Sequence, residues 1–284
     1  MPGSEDVRGD GSRNVQGFEP LIELLAGRGN AIELDEAALL LARIEYPELN
    51  PADYIIQLDH IASVIADRAD DLSDGQDFLE TAARYLFGDL GFRGNSDDYY
   101  NPDNSCLNRV IETARGIPIS LCALFIEVAR RLAKPVRGVG LPGHFVVRYD
   151  DEELTAFIDP FHGGDFIDEA RCYELAQMET PDPTVLEPVD TRYIVMRMIN
   201  NLRGVYFSRR EPAKALQILD ILLAANPKAA EEHKQRGVAL LQMSRLIEAM
   251  ESFQKYLELF PNAPDRERIE EQVKSIAFWM AARN

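Results

Sequence analysis

Cysteine is scarce in this chain: Cys106, Cys122 and Cys172 are the only three in 284 residues, an odd number with no C-x-x-C pair. That argues against a disulfide framework and against a cysteine-rich zinc site, and leaves three reduced thiols suited to burial as small hydrophobes. Basic residues are short as well, 30 against 48 acidic, for a formal net charge of −18. Nonspecific nucleic-acid binding depends on cationic side chains displacing counterions, and attraction to an anionic membrane needs the same sign, so neither partner is expected. No apolar run approaches the roughly 18 residues of a bilayer span. The opening M-P-G-S-E-D-V-R-G-D-G-S-R-N-V-Q-G lacks the apolar stretch of a secretory signal. It reads as a floppy polar leader over 1–17, and the expected compartment is the cytoplasm. Phosphate loops are missing too: Gly138, Gly140, Gly163 and Gly164 open no G-x-G-x-x-G helix, and no G-K-[ST] follows them.

What is present is a 46% hydrophobic share, ordinary for a protein with a proper core, and enough length for two domains of roughly 100 to 200 residues. From the leader to about Phe87 the pattern is helical. D-E-A-A-L-L-L-A-R-I-E-Y, starting at Asp35, has an acidic first turn and apolar residues at helical spacing. Pro51 starts a second helix, with Tyr54, Ile55, Leu58, Ile61, Val64 and Ile65 in one stripe and His60 beside it as a half-buried structural histidine. D-F-L-E-T-A-A-R-Y-L-F forms a third. The glycine- and asparagine-rich G-D-L-G-F-R-G-N-S-D-D-Y-Y-N-P-D-N-S is a loop by composition. C-L-N-R-V-I-E-T-A-R is a short amphipathic helix with Ser105 or Asn104 as its expected N-cap, and G-I-P breaks it. The next helix, I-S-L-C-A-L-F-I-E-V-A-R-R-L-A, is apolar around most of its circumference and belongs in the centre of a core.

Lys134 and Pro135 end that helix, and the texture turns to strands: V-R-G-V-G-L, H-F-V-V-R-Y and L-T-A-F-I-D, with D-D-E-E as a hairpin turn between the last two. The expected fold class is therefore α+β over 18–180, helices first and then a small antiparallel sheet backed by the central helix. The stretch 181–190 holds Pro181, Pro183 and Pro188 and reads as a linker. Over 191–284 the pattern is all helical and repeats. A-K-A-L-Q-I-L-D-I-L-L-A-A-N-P ends at Pro227 and I-E-A-M-E-S-F-Q-K-Y-L-E-L-F-P at Pro261, 34 residues on, with Ala215 matching Ala249 at the same offset. That period is the one of tetratricopeptide helix pairs, with Gly237, Ala249, Phe253 and Pro261 at the small, packing and terminating positions. D-R-E-R-I-E-E-Q-V-K-S-I-A-F-W-M is the expected capping helix, and such repeats supply a surface for a protein or peptide segment.

Two neighbouring strands can bring together His144, which opens the first, and Asp159, which closes the second. A histidine oriented by a carboxylate is two-thirds of a nucleophile-activating triad, so the missing member is the nucleophile. The runs N-P-D-N-S-C-L-N-R-V-I-E-T-A-R-G-I-P-I-S-L-C-A-L-F-I-E-V-A-R-R-L, G-V-G-L-P-G-H-F-V-V-R and I-D-P-F-H-G-G, in that order, resemble the bacterial SirB-type family. The resemblance covers roughly Leu40 to the last residue. It implies a transglutaminase-like, papain-like core followed by tetratricopeptide repeats. It also implies a Cys-His-Asp triad, with the cysteine at the start of the central helix. His144 in His-Phe matches the histidine and Asp159 in Asp-Pro the aspartate.

The cysteine position falls near Pro118 or Ile119, and neither is a nucleophile. Cys122 lies one turn further along, about 6 Å from Pro118 along the helix axis. There it lacks the helix N-terminus that lowers a thiol pKa. Its duller role is a buried thiol between Leu121 and Ala123, and that of Ser120 is a hydroxyl bonding local backbone. Asn101, Asn108, Arg115 and His162 are candidates for a polar pocket beside His144. A metal set of His144, His162, Asp159 and Asp165 has no recognised spacing, so neither a metal nor a cofactor is expected.

The reading is a binding or regulatory protein on a degenerate transglutaminase-like fold that keeps the His144–Asp159 pair without its nucleophile. The alternative is a thiol hydrolase or acyl transferase with a displaced Cys122–His144–Asp159 triad, or a hydroxyl version using Ser120. A scaffold without any small-molecule site is a third possibility. Oligomeric state is not legible.

Overall fold

The structure, a computed structural model, describes residues 15–28 and 32–282. Residues 1–14 of the expected leader lie outside them. The described chain divides into two compact units, one of Ile32–Val205 and the other of residues 15–28 together with 206–282.

The first helix, α1 (Glu19–Leu25), packs on α9 (Pro212–Ala225) of its own unit through buried Leu21, Leu24 and Leu25. Its apolar face therefore belongs with the repeats, whereas the sequence pattern had placed Phe18 onward with the α+β core.

The Ile32–Val205 unit opens with α2 (Leu34–Ala42), α3 (Pro51–Arg68) and α4 (Gly75–Ala83). Asn50 caps α3, with Pro51 supplying a preset first helical position. Asp74 caps α4 by accepting from the amides of Gln76 and Asp77. A π-helical turn, Arg84–Asp89, prolongs α4.

Strands β1 (Arg93–Gly94) and β2 (Arg115–Gly116) form a short parallel pair. Between them lie a 3-10 turn, Pro102–Ser105, and α5 (Leu107–Thr113). The expected cap of α5 by Asn104 or Ser105 is not formed. Those residues sit inside the 3-10 turn, Cys106 takes the N-cap position, and Asn101 caps the turn by accepting from Asp103 N at 3.0 Å.

Helix α6 (Pro118–Arg131) is the centre of the core. It packs on α2, α3 and α5 and on strands β3 (Val136–Val139) and β4 (Val146–Asp150). Its near-continuous apolar surface is what such all-round burial requires. Strand β5 (Thr155–Asp159) forms the expected hairpin with β4, Val147 opposite Ile158 and Asp150 opposite Thr155. Beyond it come β6 (Asp165–Ile167) and α7 (Glu169–Leu175), and with β7 (Pro188–Val189) the sheet order is β6-β5-β4-β3-β7.

The proline-rich stretch expected as a linker supplies that last strand. β7 (Pro188–Val189) pairs with β3, and Leu186 just before it is buried in a cluster with Val139, Leu141, Val146, Phe157, Cys172 and Ala176. An edge strand with one side unpaired tolerates proline, which explains why the composition looked like a linker while the chain is stitched to the sheet. Helix α8 (Thr191–Ser208) follows.

In the other unit, α9, α10 (Ala230–Gln242), α11 (Leu246–Leu259) and α12 (Arg266–Ala281) succeed one another, with α10 packed on both α9 and α11. Leu216, Leu219, Ala239, Leu240, Ala249, Phe253, Tyr256, Ile269 and Ile276 form their common core. Gly237 permits the close approach of α10 and α11: a Cβ there would lie 2.6 Å from the Phe253 ring. No helix among the described residues is long and apolar enough to cross a membrane.

Candidate functional site

The site lies where the β4–β5 hairpin meets the first turns of α6. His144 stands in the turn before β4, a turn that Gly143 makes with φ of +72°. Arg197 of α8 secures it: its Nη2 donates to the carbonyls of Leu141 and His144, each at 2.7 Å, and its guanidinium lies over the Phe145 ring. Asp159 ends β5 and is completely buried. Its Oδ1 accepts from the amides of Phe161 and His162 at 3.0 and 3.4 Å, and so caps the 3-10 turn Pro160–His162.

The other oxygen, Oδ2, meets two imidazoles. His144 Nε2 lies 2.8 Å from it and His162 Nδ1 2.7 Å. Burial by itself raises the Asp159 carboxyl. The hydrogen bonds from the two histidines and their charge outweigh that and hold it below the usual carboxylate range. His144 is 8% exposed, whereas the His162 side chain is 47% exposed, so the cluster is buried at one end and wet at the other.

Phe161 stands edge-on to His144, with ring centroids 6.0 Å apart, and Tyr99 edge-on to Phe161 at 6.2 Å. The backbone of Gly94 lies against the Phe161 ring so closely that a Cβ there would come within 2.4 Å of it.

The nucleophile candidates point elsewhere. Pro118 holds the first position of α6, and Ile119 is buried. Cys122 is fully buried, and its Sγ donates to the Phe145 carbonyl at 3.5 Å. Burial pushes its thiol well above the ordinary range and the nearby Asp159 charge pushes the same way, against a smaller lowering by Arg197. Ser120 Oγ donates to the Asn104 carbonyl at 2.5 Å and accepts from Ile117 N at 3.1 Å, which ties the helix start to the preceding loop.

Of the four residues expected to line a pocket, only His162 is bonded to the pair. Asn101 is the cap already described. Arg115 donates to the carbonyls of Gly91 and Ala114 and holds the β1–β2 crossing. Asn108 lines a separate cavity of about 480 Å³ with Tyr46, Tyr54, Arg109 and Glu112. Asp165 sits opposite Asp159 in the ladder but is exposed and does not join the cluster. Sequence reasoning missed Arg197 and Phe161. Arg197 lies 53 residues from the carbonyl it holds, and only the parent fold brings it near.

Two stretches of the chain match known family models. Residues 52–200 match the transglutaminase-like superfamily, and residues 202–274 match a tetratricopeptide repeat. A UPF0162 protein of Xylella fastidiosa (strain Temecula1) is 36% identical over 239 residues, 81% of this chain and 85% of its own. This chain belongs to the transglutaminase-like SirB-type family. Protein SirB1 of Salmonella typhimurium is 24% identical over 246 residues, covering 84% of this chain and 89% of its own. The UPF0162 protein YchA of Escherichia coli (strain K12) is 24% identical over 254 residues, covering 87% and 94%. No solved structure matches. The SirB-type architecture is thus a transglutaminase-like domain followed by tetratricopeptide helices, a combination that suggests a binding or regulatory role and protein–protein interaction.

Proposed function

We propose that this SirB-type chain is a binding or regulatory protein in which a catalytic fold is kept without catalysis. The helical repeats hold a protein or peptide segment, and the His144 region receives a ligand or the partner's end. The observation that carries this reading is the state of the thiol. Proline occupies the first turn of α6, and Cys122 is sealed in the core with its hydrogen on a backbone carbonyl. A thiol so placed has neither the thiolate fraction nor the access that covalent catalysis needs. The rival thiol hydrolase or acyl transferase would need Cys122 to leave Phe145 and turn to His144.

The test is alkylation of the full chain by iodoacetamide at neutral pH, followed by peptide mass mapping, in wild type and in His144→Ala. The expected result is a Cys122 that labels only on unfolding, at the same slow rate in both. Fast labelling that collapses in His144→Ala would establish a working thiol–imidazole pair and overturn the binding reading. In parallel, partners crosslinked to the wild type in cells should be retained by Cys122→Ala, since the thiol takes no part.

A further inference from the structure

We propose that His144, Asp159 and His162 form a divalent transition-metal site of the zinc class, with a coordination position left open toward solvent. Three donor atoms converge from two adjacent segments. His144 Nε2 and His162 Nδ1 lie 2.8 and 2.7 Å from the same Asp159 oxygen, and the three atoms all fall within 4.8 Å of one another. Zinc bound at about 2.0–2.2 Å in tetrahedral geometry sets its ligand atoms roughly 3.4 Å apart. The two histidine–aspartate edges therefore open by about 0.6–0.7 Å, a change that small χ rotations supply.

The chemistry of the set selects the ion. Two imidazoles and one carboxylate suit zinc, cobalt, nickel or ferrous iron; calcium and magnesium prefer an all-oxygen cage. Without metal, each of the two facing ring nitrogens carries a proton to give the carboxylate. Metal binding needs the facing nitrogen free, so that proton passes through solvent to the other nitrogen of the same ring, which leaves the neutral imidazole a metal ligates.

The carboxylate is already held for this role. Asp159 Oδ1 is occupied by the amides of Phe161 and His162, so Oδ2 alone is presented. An outer shell of that kind orients a ligand before the metal arrives. His144 is fixed in turn by Arg197 on its own carbonyl. Because His162 is half exposed, the fourth position faces outward and takes water or a donor atom of a bound molecule. The site goes beyond the binding reading, which stands or falls with Cys122 and not with a metal.

The test uses the full chain without an affinity tag, stripped by chelator and titrated with Co²⁺. One equivalent is expected to bind with the intense visible absorption of a four-coordinate site, and Zn²⁺ is expected to displace it. His162→Ala should weaken binding by more than about tenfold. His60→Gln and His233→Gln, the chain's other two histidines, should leave it unchanged. Thermal unfolding keeps the result independent of folding damage. Metal-free His162→Ala should melt close to metal-free wild type, since it alters a half-exposed side chain, while the metal-induced rise in melting temperature disappears. Absence of stoichiometric uptake by the wild type, or uptake that His162→Ala leaves intact, overturns the proposal.

Discussion

Glu127 shows how much one side chain of α6 depends on its neighbours. It is buried in the last turns of α6, where Arg130 Nε and Arg131 Nη1 of the same helix donate to it at 2.8 and 3.0 Å. Arg131 also reaches Asp35 and Asp59, each at 2.6 Å. Burial first and the Asp35 charge second push the Glu127 carboxyl up to about 7, against the pull of the arginines. The folded chain thus holds a proton that the unfolded chain loses near 4.5, so stability falls as pH rises from there through about 7. The loss is on the order of 1–3 kcal/mol. Urea midpoints measured across that window should fall more steeply in wild type than in Glu127→Gln; equal slopes would refute the assignment. At the same scale, Arg197→Met should cost about 1–3 kcal/mol, because it strands two carbonyls and frees the His144 turn. Faster amide exchange at His144 and Phe145 would report it. The His144–Asp159 bond was legible because strand ends and hairpin length are written locally. Arg197 was not, because a side chain that donates to backbone leaves no sequence pattern at its target.

Single elements carry the repeat. The 34-residue spacing of Pro227 and Pro261 recurs in the structure at positions no composition rule marks. Arg210 and Ser244, again 34 apart, both adopt φ of +59° in the turns before α9 and α11. Left-handed backbone costs a non-glycine residue roughly 1–2 kcal/mol. Ser244→Gly, at an exposed turn, is therefore expected to raise stability by about 0.5–1 kcal/mol after glycine's added chain entropy is counted. A higher thermal midpoint checks it. Gly237→Ala should do the reverse: better helix propensity, worth about 1 kcal/mol, is outweighed by about 1–3 kcal/mol of overpacking against Phe253. A midpoint that rises in Gly237→Ala would mean α10 and α11 can move apart freely. The terminal prolines and the Ala215–Ala249 match were readable because they recur 34 residues apart. The edge strand Pro188–Val189 was not, since three prolines in a row of turns give the same composition whether or not the chain returns to a sheet.

At the scale of the molecule the dominant quantity is charge. A net −18 on 284 residues makes the acidic surface repel itself, and compaction works against that repulsion. Local ion pairs act in the other direction, and the buried ones around Arg131 and between Arg236 and Asp220 are screened least by salt. Exposed pairs such as Lys255–Glu258 contribute little at any ionic strength. The long-range repulsion is therefore the part that salt removes, as the screening length contracts from about 30 Å near 10 mM to about 8 Å at 150 mM. The thermal midpoint is expected to rise by a few degrees over that range. A midpoint that falls instead would mean that screened pairs outweigh the net charge, and would transfer the stability argument from the whole surface to the Arg131 and Arg236 networks.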